Sequence, residues 1–241
     1  MFFIKKIYYS IKTRFHFYRY GYTQEDFIHD LRCKGIVIGD RTYIDQNNTV
    51  IDVTRPSLVT IGTDCYLNSG FKLMTHDFVT GVMRNVYGEF INSSGRVQIG
   101  NNVGTGINVT ILKGVTIGDN CFIAANSLVT KSMPANSIIG GSPAKVICSL
   151  ENYYKKRLLD CEEEAKDYAR SIKERFGRMP VVEDFWEEFH LFVDRDNINK
   201  YPNLPIKSQL GKDENFKKWL LFHKRKYSDF ESFLEAAFKE Q

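Results

Sequence analysis

Between about Ile36 and Ile147 an aliphatic residue returns every six positions, often with Gly, Asp or Ala directly after it. The series runs Ile38-Gly39, Ile44-Asp45, Val50-Ile51, then Ile61-Gly62, Leu67-Asn68 and Leu73-Met74. It resumes after an interruption at Ile99-Gly100 and Thr105-Gly106 and continues through Ile111, Ile117, Ile123 and Val129. A period of six is neither the 3.6 of a helix nor the alternation of an ordinary strand. It predicts a triangular parallel β-solenoid: three hexads per coil, one aliphatic side chain per hexad pointing inward, small residues at the corners. Thr42, Cys65, Val103, Val115, Cys121 and Ser127, four positions after the aliphatic residues, are small enough to fill the same prism. Cys65 and Cys121 therefore read as core residues.

The flanks have a different rhythm. Residues 1–34 set Phe3, Ile4, Ile7, Tyr8, Ile11, Phe15 and Tyr18 at helical spacing among Lys5, Lys6, Lys12, Arg14 and Arg19, which predicts a basic amphipathic helix. Such a helix suits packing on the protein or a partner first, with an anionic membrane surface as the alternative. Leu150 to Phe176 predicts a long helix ended by Gly177 and Pro180. Asp184–Phe192 reads as helix, Asn197–Leu210 as loop because of Pro202 and Pro205, and Glu214–Phe238 as helix again, with the aromatic residues of this stretch as its core. The domain organisation expected is an N-terminal helical segment 1–34, a β-helix 35–148 with a loop insertion 76–96, and a C-terminal helical region 149–241.

Composition narrows the function. The 241 residues carry a net charge of +4, too slight a bias for a nucleic-acid surface, and no apolar run reaches the ~20 residues of a membrane span. Five cysteines without paired spacing favour a reduced, cytoplasmic protein over a disulfide or zinc scaffold. The interruption from Thr75 to Val97 is the natural place for chemistry, since long loops that break a regular array are frequently functional. His76, one of five histidines, stands at its base and could take a proton from a hydroxyl or amine, with Asp77 as a weak candidate to orient the ring. A second cluster, Thr130-Lys131 and Gly140-Gly141-Ser142-Pro143-Ala144-Lys145, offers two lysines beside small-residue turns, suited to phosphates.

Taken together, Asn47-Asn48-Thr49-Val50-Ile51-Asp52, Val59-Thr60-Ile61-Gly62, Thr75-His76, residues 114–120, residues 127–131 and Gly141-Ser142-Pro143-Ala144-Lys145 resemble the hexapeptide-repeat acetyltransferases. The branch is that of maltose, galactoside and nodulation-factor O-acetyltransferases, and the resemblance covers about residues 35–148. It implies a mainly β fold, a left-handed parallel β-helix, here with an N-terminal helix and a C-terminal α-helical region. It also implies a homotrimer with acetyl-CoA held between neighbouring prisms and no metal. By resemblance His76 is the general base, and a backbone N–H around Gly106 or Ile107 meets the oxyanion. Gly106, Ala124 and Ala125 line the pantetheine, while Thr130, Lys131, Ser142, Pro143 and Lys145 surround the adenosine and phosphates. Asn47 helps hold the acceptor, and Arg84 and Tyr87 of the insertion are the other acceptor candidates.

The chain departs from the family at Val103-Gly104-Thr105-Gly106, where members commonly carry a Trp beside the cofactor, so a flat wall of that channel is expected to be missing. The long C-terminal helical region has no counterpart in the small sugar acetyltransferases. It suggests a polysaccharide such as capsule or O-antigen, or its lipid-linked precursor, as acceptor, handled at the inner face of the membrane. The competing readings are an N-acetyltransferase of a nucleotide-linked amino sugar and a non-catalytic β-helix scaffold. A zinc enzyme on the same solenoid would need several converging histidines, and only His76 lies in the repeats.

Overall fold

The computed structural model describes residues 23–239. The basic helix expected within residues 1–20, and its membrane contact, lie outside the described residues. Helix α1 (Gln24–Cys33) opens the described chain, capped by Thr23, whose hydroxyl accepts from the Asp26 N–H while the Asp26 carboxylate accepts from the Thr23 N–H. Its buried Ile28 and Leu31 join the core of the first coil.

Four coils follow. The first holds β1 (Val37–Ile38), β2 (Tyr43–Ile44) and β3 (Val50–Ile51), and the second β4 (Val59–Ile61), β5 (Tyr66–Leu67) and β6 (Lys72–Leu73). The third holds β7 (Val97–Ile99), β8 (Val103–Thr105) and β9 (Thr110–Ile111), and the fourth β10 (Thr116–Ile117), β11 (Cys121–Ile123) and β12 (Leu128–Val129). Strands three apart in sequence pair in parallel, so three sheets run along the prism: β1-β4-β7-β10, β2-β5-β8-β11 and β3-β6-β9-β12. The second sheet continues into β13 (Ser137–Gly141), parallel to β11, and then β14 (Ala144–Ser149), which is antiparallel.

The hexad residues line the inside. Ile44, Ile61, Leu67, Leu73, Ile111, Ile117 and Ile123 are fully buried, each contributing roughly 1.5–3 kcal/mol. Thr42, Cys65, Val103, Val115, Cys121 and Ser127 are buried beside them, and burial pushes the Cys65 and Cys121 thiols up from their ordinary acidity. The corners turn by a different device from the one expected. The backbone enters the left-handed region mainly at Asn48, Asp64, Asn102, Asn108, Asn120, Asn126 and Asn136, whose short polar side chains tolerate it. Asn102, Asn120 and Asn136 also form a ladder, each side chain donating to the next at 2.9 and 3.0 Å. The glycines after the aliphatic residues serve close stacking instead: a Cβ on Gly62 would lie 2.4 Å from the Gly100 carbonyl oxygen.

The interruption is not wholly loop, because Val79–Tyr87 forms helix α2, ended by Gly88 at φ +72°. By contacts the chain divides into two units between Tyr154 and Lys155, a point inside helix α3 (Leu150–Phe176). Gly177, at φ +64°, closes α3 by donating to the Lys173 carbonyl.

In the second unit the expected helix 184–192 is two 3-10 turns, Val182–Phe185 and Glu188–Leu191. Phe185, Phe189, Leu191, Phe192 and Val193 are all buried, and one helix face cannot bury so many neighbours. The expected loop 197–210 contains a 3-10 turn, Ile198–Lys200, and a one-turn helix α4 (Ile206–Gln209) directly after Pro205. The expected helix 214–238 is two helices, α5 (Asp213–Phe222) and α6 (Phe230–Phe238). The break is specified by Asp229, which caps α6 by accepting from the Ser232 N–H, and by the Leu191 carbonyl, which accepts from the Lys226 and Tyr227 N–H groups.

Glu162 on α3 is nearly buried and accepts hydrogen bonds from Lys226 and Tyr227, with Lys166 at 3.2 Å. Burial alone would raise its carboxyl, but these partners pull it down to about 2. A depressed carboxyl stabilises the fold above its ordinary value near 4.5 and loses that contribution as pH falls toward 2. The helical unit is therefore expected to lose stability over that window. The only two tryptophans, Trp186 and Trp219, both lie in it, so their fluorescence reports its unfolding without signal from the β-helix. Glu162→Gln should flatten the pH dependence between 4.5 and 2, and an unchanged slope would exclude Glu162 as its source.

Candidate active site

Asp52 follows β3 at the corner between the third and first sheets, with its side chain 3% exposed. Its Oδ1 accepts from the Thr54 N–H at 3.0 Å and the Thr54 hydroxyl at 2.6 Å. Its Oδ2 accepts from the Thr75 N–H at 3.1 Å, from the Thr75 hydroxyl, and from His76 Nδ1 at 2.5 Å. Burial opposes ionisation, but the donors on Thr54, Thr75 and His76 outweigh it and hold the carboxyl well below the usual carboxylate range. An ionised carboxylate only accepts, so Nδ1 carries a proton, and in the neutral imidazole the lone pair is on Nε2. The Phe78 ring stands edge-on to the imidazole, 5.2 Å between centroids.

Asp52, not Asp77, thus orients His76. Adjacent side chains diverge at this corner: Asp77 accepts from the Ser93 hydroxyl at 3.0 Å and the Val79 N–H at 3.1 Å and pairs with Lys113 at 2.7 Å. Asp52 stands 24 residues before His76, so local spacing along the chain does not connect them. Strand register held the signal, since β3 pairs with β6 as Val50 with Lys72 and Ile51 with Leu73, which brings the residues after each strand together.

The other candidates fall on two edges of the prism. Thr130 and Lys131 leave β12 on the corner that carries His76, both exposed. Asn47, Gly106, Ala124 and Ala125 lie on the corner between the second and third sheets, where Gly106 packs so tightly that a Cβ would meet the Ala125 nitrogen at 2.5 Å. The β13–β14 turn, with Ser142, Pro143 and Lys145, emerges at that same corner, Gly140 packing on Ala124. One strand of the third sheet separates the two edges, about 13 Å from Asn126 to Thr130 at the rise of an extended chain. Arg84 and Tyr87 are exposed on α2.

Two expectations change. The Gly106 N–H donates to the Ile123 carbonyl at 2.7 Å, so it is engaged in the sheet and the oxyanion donor of the pair is Ile107 or none. At Gly104, where a flat wall is expected to be missing, the Phe122 ring of the next coil lies over the glycine, 3.1 Å from where its Cβ would stand. Asn47 uses its backbone in the corner, accepting from the Gly70 N–H and the Ser69 hydroxyl. Among the described residues no helix is long and apolar enough to cross a membrane.

Residues 96–131 match the model of the bacterial transferase hexapeptide (six repeats). The chain is 42% identical over 158 residues to protein CapG of Staphylococcus aureus, a match covering 65% of this chain and 88% of that one. It is 37% identical over 127 residues to galactoside O-acetyltransferase of Escherichia coli, covering 50% of this chain and 59% of the relative. A hexapeptide-repeat acetyltransferase of Vibrio cholerae, solved with acetyl-CoA, is 29% identical with a TM-score of 0.40, covering 48% and 60% of the two chains. The repeat, the three parallel sheets and the relationship to CapG agree: the chain belongs to the hexapeptide-repeat transferase family, an acyltransferase built on the left-handed parallel β-helix.

Proposed function

We propose that the protein transfers an acetyl group from acetyl-CoA to a sugar hydroxyl in a surface polysaccharide or its precursor, with His76 as general base. The observation that carries this reading is the Asp52–His76 pair, which leaves Nε2 free to take a proton at a corner crossed by an exposed insertion. The edge of Gly106, Ala124 and Ala125 suits a long, thin donor, because none of these residues carries a side chain larger than a methyl group. When bound, acetyl-CoA supplies the thioester carbonyl that the hydroxyl attacks. His76 removes the hydroxyl proton at Nε2 as the C–O bond forms, the Ile107 N–H donates to the carbonyl oxygen, and as the C–S bond breaks the proton passes from Nε2 to the departing CoA sulfur. Lys131 and Lys145 hold phosphates, Thr130, Ser142 and Pro143 flank the adenosine, and Phe122 covers one side of the arm. Arg84, Tyr87 and Asn47 hold the acceptor.

The two edges belong together only across a boundary between copies. A homotrimer that sets the His76 edge of one prism against the Gly106 edge of the next builds three equal sites. The exposed Phe78 beside His76, and Val82, Val86 and Phe90 further along the insertion, suit burial in that boundary. The similarity to a galactoside O-acetyltransferase supports a sugar hydroxyl as acceptor. The C-terminal helical region supports a larger one.

Calorimetric titration with acetyl-CoA, followed by transfer assays on capsule and O-antigen glycans, tests this reading. Saturable binding, weakened about tenfold in Phe122→Ala, and acetyl transfer to a hydroxyl are expected. Transfer to amino sugars alone would move the reading to N-acetylation, and a folded protein that binds no acetyl-CoA would mark a scaffold.

A further inference from the structure

The insertion beside His76 leaves the prism and returns to it at one point. His76 bridges Ser94 in antiparallel fashion, and the Gly95 N–H donates to the Thr75 carbonyl at 2.9 Å. Directly beside these backbone links a side chain from the third coil joins both ends of the excursion. Lys113, which follows β9, pairs with Asp77 at 2.7 Å and donates to the Ser93 hydroxyl, which itself donates to Asp77 Oδ2 at 3.0 Å. The hydrogen bond from Lys113, with those of the Val79 N–H and the Ser93 hydroxyl, holds the Asp77 carboxyl below its ordinary range.

His76 is thus flanked by two fixings of different origin. Its ring is held by Asp52 from the first coil, and its backbone neighbour is held by Lys113 from the third. The ring hydrogen bond sets the direction of Nε2 only if the Cα of residue 76 is also fixed, and the chain between Asp77 and Ser93 contains α2 with six of its nine residues exposed. A freely hinged excursion would carry residue 76 with it.

We propose that Lys113 is a positioning residue: its ammonium clamps Asp77 and Ser93 together, fixing the base of the insertion so that His76 and the acceptor-holding α2 keep one geometry. The catalytic part of this inference rests on the acetyl-transfer reading, while the clamp itself does not. Lys113 touches neither donor nor acceptor in this scheme and acts through Asp77.

Amide hydrogen exchange and steady-state kinetics on the full chain test it with Lys113→Met and Lys113→Arg. In Lys113→Met, exchange across residues 76–95 should rise at least tenfold while the amides of the coils stay protected. With acetyl-CoA as donor and p-nitrophenyl galactoside as probe acceptor, kcat should fall about tenfold with the KM for acetyl-CoA within twofold. Lys113→Arg, which keeps the charge and its donors, should restore both readouts. Asp77→Asn combined with Lys113→Met should be no worse than the single variants, since both remove one link. Unchanged exchange over 76–95 in Lys113→Met overturns the clamp whatever the activity. Raised exchange with undiminished kcat overturns its positioning role. If the wild-type protein transfers nothing to any acceptor, the acetyl-transfer reading fails while the exchange data still decide the clamp.

Discussion

Asp52→Asn is expected to lower kcat by about 10²- to 10³-fold while the protein still folds. The replacement is isosteric but exchanges an acceptor oxygen for an NH2 group, and both oxygens of Asp52 already face donors. If the NH2 turns toward Thr54, that residue's N–H loses its acceptor. If it turns toward Thr75 and His76, the Thr75 N–H does, and Nδ1 must then accept, which moves the ring proton to Nε2 and removes the base. The first choice leaves the N–H of exposed Thr54 to water, and the second leaves the buried Thr75 N–H unpaired, worth roughly 1–3 kcal/mol. Thermal unfolding should therefore fall modestly while activity falls severely. A variant with reduced stability but full kcat would show that Asp52 serves the corner and not the ring.

His76→Ala should reduce transfer by about 10³- to 10⁴-fold and leave the dissociation constant for acetyl-CoA nearly unchanged. The double variant Asp52→Asn/His76→Ala should be no slower than His76→Ala alone, because the carboxylate acts through the imidazole. Calorimetry and initial rates on the same preparations separate the roles. Loss of acetyl-CoA binding by folded His76→Ala would make the residue part of the donor site instead. Additive losses in the double variant would give Asp52 an effect independent of the ring.

The hexad made the prism legible because inward positions repeat in sequence as they do in space: Ile61, Leu67, Ile99, Ile111 and Ile123 could each be assigned without knowing the others' partners. Corner chemistry was harder to read. The glycines drew attention, yet Asn102, Asn120 and Asn136 take the left-handed conformation and stack, a regularity visible only at a spacing of a whole coil. His76 was legible as a rare residue at the base of an insertion, whereas Asp52 required the register between coils. The same limit hid Phe122, whose ring covers a glycine 18 positions earlier, one coil away. In the helical region, spacing found α3 but missed the break before α6, since that depends on the distant Leu191 carbonyl.

The hairpin of β13 and β14 has a consequence for solubility. A parallel solenoid grows by adding coils, so its last coil offers unpaired strand edges to any other chain. By reversing direction, β14 occupies the edge of the second sheet with a strand that no further parallel coil can extend, and α1 lies on the first coil at the opposite end. The second sheet thereby ends in an antiparallel strand. Truncation just before Ala144 would keep Gly106, Ala124 and Ala125 but remove Lys145 and open that edge, and such a fragment is expected to form end-to-end assemblies more readily than the full chain.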